Sequence, residues 1–241
     1  MMFIVILHTK INRALAGLWL FLTLTNATAH DLWLEQDSKR VTLHQGHRLS
    51  SHTGAETIAY DKHFVTAARC VDAHGNKKNL TALTTVPWSA SGECAAEHLE
   101  VSSGYWSKTP WETKNVPKTE ASGALKSWLS RDNLKRLERW SPVFAQPLGD
   151  GLEILPTVDP FTLKPGDKLV VRVVQEGRPV AGAAVAYHGD PRGETDAEGR
   201  VAIRLRHGGI QLISTSVERP LKDGKADMEI LAATLQFEIK P

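Results

Sequence analysis

The stretch T-N-A-T-A-H-D-L-W-L-E, residues 25–35, places His30 directly after the small residues A-T-A, a pattern that signal peptidase cleaves. Cleavage after Ala29 makes His30 the first residue of the mature chain. An amino-terminal histidine carries a free α-amine and an imidazole, and both lose their protons to a divalent metal near neutral pH. The amine and Nδ1 then close one chelate ring, which suits copper(II) and nickel(II). The sequence therefore predicts a metal site at His30.

A chelate of this kind needs a second histidine from elsewhere in the chain. Three candidates near the ends of predicted strands are His98, His188 and His207. Three more, in the stretch H-Q-G-H-R-L-S-S-H, are His44, His47 and His52. The alternative interpretation is that these are solvated histidines and that His30 follows the cleavage site by chance.

Residues 1–29 have the pattern of an export signal. Lys10 and Arg13 supply positive charge, and an apolar run follows from residue 14 to residue 24. This run is shorter than the roughly 20 residues that a membrane-spanning helix needs, which favours cleavage over retention as an anchor. We therefore expect a periplasmic protein that begins at His30.

The charge balance of the mature chain excludes two classes of partner. Two of the 29 basic residues lie in the leader, which leaves 27 basic residues against 27 acidic ones. Nucleic acid or an anionic membrane surface would require a basic excess or patch. We expect neither as a partner.

The two cysteines, Cys70 and Cys94, both lie in the exported part of the chain. An oxidising compartment favours a disulfide between them. The alternative, a site in which two thiolates bind a metal, lacks the close C-x-x-C spacing that such sites usually have.

The pattern of apolar and turn residues predicts a mainly β fold with two β-sandwich domains of the Ig-like or transthyretin-like kind. Short strand-like runs separated by glycines predict an N-terminal sandwich over residues 30–110. Strict alternation at Leu169, Val171 and Val173, together with the turn T-D-A-E-G-R, predicts a second sandwich over residues 151–241. A loop and helical insert over residues 111–150 separates them, with helical spacing from Ser122 to Trp140.

Other residue patterns favour structural roles over catalysis. A G-x-S-x-G elbow, an H-E-x-x-H helix and a phosphate-binding glycine loop are all missing from the sequence, so we expect no enzyme. Five tryptophans could line a ligand groove, but large aromatic residues usually serve the core or a domain interface, and we favour the core for Trp33, Trp106, Trp111, Trp128 and Trp140. Four acidic residues do not have the spacing of a calcium loop and are predicted to be turn and surface residues: Asp150, Glu153, Asp159 and Asp167.

The chain resembles the DUF4198 family. The resemblance rests on A-H-D-L-W-L-E at the start, S-G-Y-W-S-K-T-P in the middle, D-P-F-T-L-K-P-G-D-K-L-V-V-R-V from Asp159, and A-A-T-L-Q-F-E-I near the end. The second half is also similar to transthyretin-like and carboxypeptidase regulatory-like sandwiches, which share P-V-A-G-A and T-D-A-E-G-R. The family consists of exported bacterial proteins labelled NikM-like periplasmic components of cobalt or nickel uptake.

The resemblance implies a periplasmic metal-binding accessory protein for uptake of nickel or cobalt, with a membrane metal-uptake transporter as partner. Two alternatives remain open. One is a copper-binding protein in which His30 forms a brace with a second histidine. The other is a structural or interaction sandwich that binds no metal.

Overall fold

The computed structural model describes residues 31–38, 40–50, 54–80 and 86–240, so the leader, His30 and His52 lie outside the described residues. The strands in chain order are β1 (Asp31–Asp37), β2 (Arg40–Ser50), β3 (Gly54–Thr57), β4 (Val65–Val71), β5 (Lys77–Asn79), β6 (Ser89–Ser91), β7 (Ala96–Lys108), β8 (Thr113–Lys114), β9 (Lys126–Leu137), β10 (Leu152–Pro156), β11 (Lys168–Gln175), β12 (Arg178–Pro179), β13 (Ala184–Tyr187), β14 (Asp190–Glu194), β15 (Arg200–Arg204), β16 (Gly209–Pro220) and β17 (Met228–Ile239). Short 3-10 helices cover Lys118–Glu120, Pro142–Ala145 and Pro160–Thr162. No helix in the described ranges has the length and apolar character that a membrane crossing requires.

The strands form three sheets, and the mainly β prediction is confirmed. The N-terminal sheet has the order β1-β2-β3, with β6 paired to β2. A nine-stranded sheet has the order β14-β13-β16-β17-β9-β7-β4-β5, with β8 paired to β7. The C-terminal sheet has the order β10-β11-β12, with β15 paired to β11.

The nine-stranded sheet contributes to two hydrophobic cores. One face packs on the N-terminal sheet, where Leu134 of β9 joins Leu34 of β1 and Leu43 of β2. The other face packs on the C-terminal sheet, where Leu235 of β17 joins Val171 of β11. Strands with alternating side chains present one set of residues to each face. The molecule is therefore layered, with the nine-stranded sheet in the middle.

The helix predicted over Ser122–Trp140 is wrong, because this segment contains strand β9. Strand β9 pairs antiparallel with β7 and parallel with β17. Because β9 is central in its sheet, both of its faces are covered, and four consecutive residues, 134–137, are buried. A strand buried on both faces shows no alternation of apolar and polar residues, so its apolar spacing cannot be distinguished from that of a helix.

The predicted domain boundaries stay predictions. The segment predicted as an insert contributes a strand to the nine-stranded sheet. Strand β9 belongs to the insert over residues 111–150, yet it lies in the same sheet as β7 from the first half and β17 from the second. The register pairs Met228 with Trp128 and continues to Gln236 opposite Arg136. The insert therefore joins the two halves through backbone hydrogen bonds.

The structure joins Cys70 and Cys94 in a disulfide, as predicted. Cys70 lies on β4 and Cys94 lies just before β7, with their Cα atoms 5.2 Å apart. Among the described residues there is no free cysteine. The pairing leaves the described histidines and acidic residues as the available protein ligands for a metal.

Candidate functional site

Two of the predicted metal ligands, His188 and His207, lie side by side. His188 follows β13 and His207 precedes β16, and these two strands are antiparallel neighbours. The end of β13 is therefore next to the start of β16, and the backbone N–H of His188 donates to the carbonyl of Leu212 at 2.9 Å. The two imidazole centroids are 4.7 Å apart. The sheet register thus brings together two histidines that are separated in sequence.

The hydrogen bonds of His207 determine which of its ring nitrogens is free. Nδ1 lies 2.8 Å from the carbonyl oxygen of Gly208, and because a carbonyl only accepts, Nδ1 carries the proton. Nε2 is therefore the ring nitrogen without a carbonyl partner. The Tyr187 hydroxyl is 3.5 Å from this nitrogen and donates its own proton to Gln211 Oε1 at 2.6 Å. An imidazole fixed through Nδ1 and open at Nε2 is the arrangement common in histidine metal ligands.

His188 is a neutral imidazole whose ring is largely screened from water. Neither ring nitrogen has a hydrogen-bond partner in the described part of the chain. Burial lowers the pKa of His188 to about 4, and the nearby His207 and Arg48 lower it further, while Asp190 opposes them. The backbone of His188 has φ +51°, a conformation that a non-glycine residue rarely adopts. A neutral imidazole needs no deprotonation near pH 7 before it can offer a nitrogen lone pair.

His98 lies away from this pair, so the structure does not bring all three candidates together. It is on β7, four positions along the sheet from β13. The side chain is 1% exposed, and neither ring nitrogen has a hydrogen-bond partner among the described residues. Burial is the main cause that lowers the pKa of His98 to about 4. His98 is therefore a neutral core histidine beside the charged pair of Lys135 and Glu153.

The histidine cluster of β2 has separate surroundings. The ring of His44 stacks on Trp33 with centroids 5.4 Å apart, and its Nε2 is 3.7 Å from Glu35. His47 also lies on β2, whereas His52 and His30 fall outside the described ranges. Within those ranges, no three His, Cys, Asp or Glu side chains are grouped so that they could hold a metal. His188 and His207 are thus an adjacent pair of imidazoles without a third His, Cys, Asp or Glu grouped with them in the described ranges.

Glu153 is a buried residue, so its assignment to the surface is wrong. Its carboxylate accepts the backbone N–H of Leu148 at 2.8 Å and that of Gly149 at 2.6 Å. It also pairs with Lys135, which sequence reasoning missed. The available signal was the position of Glu153 within the apolar run L-E-I-L-P, which forms β10.

A groove of about 900 Å³ opens on the face of the nine-stranded sheet that carries the N-terminal sheet. Residues 58–66 form one wall, and residues of β7, β9, β16 and β17 form the floor. Trp106 and Trp128 lie opposite each other on β7 and β9, with rings 6.4 Å apart and nearly parallel. Both are only half-buried and line the groove, so the preference for the core is wrong for this pair. It is also wrong for Trp111, which is 85% exposed. Trp33, by contrast, is 1% exposed and belongs to the interior.

These features define a class: a three-layered, mainly β protein with a histidine pair at one sheet end and an aromatic groove on one face. The chain belongs to the family described as "Domain of unknown function (DUF4198)", whose model matches residues 27–219. No curated protein matches this chain.

A solved chain is described as "Structures of Clostridium thermocellum CbhA fibronectin(III)-like modules". It is 11% identical, with 87% of this chain and 94% of that chain covered at a TM-score of 0.24. A superposition this loose says nothing about what the present chain binds.

Proposed function

We propose that this protein is exported to the periplasm and carries a divalent transition metal, nickel, cobalt or copper, as an accessory to a membrane metal-uptake transporter. The observation that supports the proposal is the pair of adjacent imidazoles at His188 and His207, with ring centroids 4.7 Å apart. Imidazole nitrogen is a good ligand for all three metals. The disulfide of Cys70 and Cys94 fits an oxidising compartment.

A site with two protein ligands suits transfer of a metal better than storage or catalysis. Water, or a side chain of the receiving transporter, would complete the coordination sphere. The charge of Arg192 is offset by Asp190 at 2.6 Å, but Arg48 lies close enough to His188 to oppose a cation. We therefore expect moderate affinity and rapid exchange.

The experiment is a calorimetric titration of the mature protein with Ni²⁺, Co²⁺ and Cu²⁺. We expect His188→Asn and His207→Asn each to weaken binding at least about tenfold, since loss of even an indirect partner of a metal ligand costs about that much. His74→Asn is the matched control, because His74 is exposed and far from the pair in sequence. Unchanged affinity in the double variant would contradict the proposal and favour an interaction module that binds no metal.

The chelate at His30 stays a separate prediction. One extra residue before His30 removes its free α-amine, which is one of the two proposed ligands. We expect the extended protein to bind one ion fewer than the protein that begins at His30, while the site of His188 and His207 is retained. Equal stoichiometry, or mass spectrometry showing cleavage elsewhere, would exclude the amino-terminal site and the copper brace with it.

A further inference from the structure

The groove contains a carboxylate with no cationic partner. Asp132 of β9 lines the groove, and in the described part of the chain no basic side chain forms an ion pair with it. Ser130 Oγ approaches Asp132 Oδ2 only to 3.4 Å, which is a weak contact. Burial is the cause that raises the pKa of Asp132 to about 6. Asp132 itself is half-buried. A cation brought in by a ligand would offset the cost of desolvating its carboxylate, because a desolvated charge is stabilised by a partner of opposite sign.

The aromatic pair supplies a second feature that favours cations. Trp106 and Trp128 are half-buried and stacked, so part of their surface stays open to the groove. The Nε1–H of Trp106 is already used, since it donates to Ser103 Oγ at 2.9 Å. The ring faces of tryptophan attract ammonium groups and also give apolar contact to a hydrocarbon body.

The remaining lining is apolar, uncharged polar or acidic, apart from His63. Ile230 and Ala232 of β17 lie in the floor beside β9. Glu218 is in the lining but is paired with Lys126, with 2.9 Å between Nζ and Oε1. The lining has Asp61 as a further acid and neither lysine nor arginine. This charge pattern disfavours an anionic ligand and favours a cationic one.

The distance between the Asp132 carboxylate and the pair of tryptophan rings sets the length of the ligand. Trp128 and Asp132 are four residues apart on one strand, which separates their Cα atoms by about 13 Å. We propose that the groove binds an elongated organic amine, with the ammonium group at Asp132 and an apolar or aromatic body along the Trp106 and Trp128 rings. This site shares no residue with the histidine pair. It therefore stands whether or not the protein binds a metal.

The test is calorimetry with three probes of one shape and different charge: 4-phenylbutylamine, 4-phenylbutanol and 4-phenylbutyrate. The amine should bind about tenfold or more tightly than the alcohol, since a hydrogen bond to a charged group is worth that much. The carboxylate should bind least. Equal affinity for the amine and the alcohol, or a preference for the carboxylate, would overturn the proposal.

Asp132→Asn should reduce the affinity for the amine to that for the alcohol and leave the alcohol unchanged. Glu194→Gln, an exposed acid outside the groove, is the matched control. Thermal unfolding of Asp132→Asn checks that the groove is intact. Retention of amine binding in a folded Asp132→Asn protein would exclude Asp132 as the ammonium partner.

A pH series adds a readout that a purely structural role would not change. Amine affinity in the native protein should fall as the pH drops through about 6, where Asp132 gains a proton. The other titratable groups lining the groove are Tyr60, Asp61, His63 and Glu218. Because these remain in Asp132→Asn, the difference between the two proteins isolates Asp132. An identical pH dependence in both proteins would contradict the proposal.

Discussion

Lys135 of β9 and Glu153 of β10 form an ion pair inside the protein, with Nζ and Oε2 2.7 Å apart and side chains 3% and 1% exposed. Burial lowers the pKa of the Lys135 ammonium, and the Glu153 carboxylate partly opposes that shift. Burial also acts to raise the pKa of Glu153, but Lys135 and backbone N–H donors outweigh it and hold the pKa below its usual value. Both partners are thus ionised, and their ion pair links the nine-stranded sheet to the C-terminal sheet.

Lys135→Met should lower the free energy of unfolding by about 3–5 kcal/mol, because it leaves a buried carboxylate without its partner. Urea unfolding of the native and variant proteins measures this change. The control is Lys114→Met, which breaks an exposed pair with Glu112 and should cost less than about 1 kcal/mol. Adding Glu153→Gln to Lys135→Met should recover part of the loss. If Lys135→Met lowers the free energy of unfolding no more than Lys114→Met does, the pair of Lys135 and Glu153 does not stabilise the fold more than an exposed pair.

The buried His98 predicts how stability changes with pH. In the unfolded chain a histidine takes up a proton as the pH falls through about 6.5, whereas folded His98 stays neutral until the pH reaches about 4. Protons therefore bind preferentially to the unfolded state in this window, and the free energy of unfolding falls as the pH drops from 6.5 to 4. The contribution of His98 to this fall is about 3 kcal/mol.

His98→Gln should remove that contribution, so its unfolding free energy should depend less on pH than that of the native protein. Leu99→Ala on the same strand is the comparison: it should destabilise the protein without changing the slope, because leucine does not titrate. Unfolding at pH 7, 5.5 and 4 measures all three proteins. If the free energy of unfolding of His98→Gln depends on pH as strongly as that of the native protein, then folded His98 takes up its proton at the same pH as a histidine in the unfolded chain.

Removal of the disulfide should destabilise the protein without abolishing the fold. Cys70 and Cys94 are separated by 24 residues, and opening a loop of this size costs about 3 kcal/mol through the entropy of the unfolded chain. The double variant Cys70→Ser and Cys94→Ser should therefore unfold at lower urea concentration. Titration of thiols in denatured, non-reduced native protein should find none. Two free thiols would contradict the pairing.

Local sequence patterns predicted the strands that have one face buried and the other exposed. The alternation of Leu169, Val171 and Val173 identifies β11, because one side chain in two faces the core. The same reasoning failed at β9, where Lys135 and Arg136 are buried with ionic partners and the pattern of alternation disappears. Strand partners separated by a hundred residues determine that environment, and no local window contains them.

The histidine pair was predicted only in part, because it too depends on the pairing of strands that are distant in sequence. The sequence named His188 and His207 as candidates near strand ends, but only the pairing of β13 with β16 shows that they are neighbours and that His98 is not. The sequence alone does not decide whether Trp106 and Trp128 serve the core or line a groove, since half-burial depends on how far the N-terminal sheet covers the large one. The register between strands determines which side chains are neighbours, and the packing of one sheet on another determines which of them are exposed.

The central claim, that His188 and His207 jointly bind the metal, is tested most directly by X-ray absorption spectroscopy of the Ni²⁺-loaded protein that carries an extra residue before His30. The extension removes the amino-terminal chelate, so the imidazoles seen belong to the internal site. We expect scattering from two imidazoles with oxygen ligands completing the shell, and loss of that scattering in the His188→Asn and His207→Asn double variant. A shell of oxygen ligands without imidazole, or imidazole scattering that persists in the double variant, would contradict this claim.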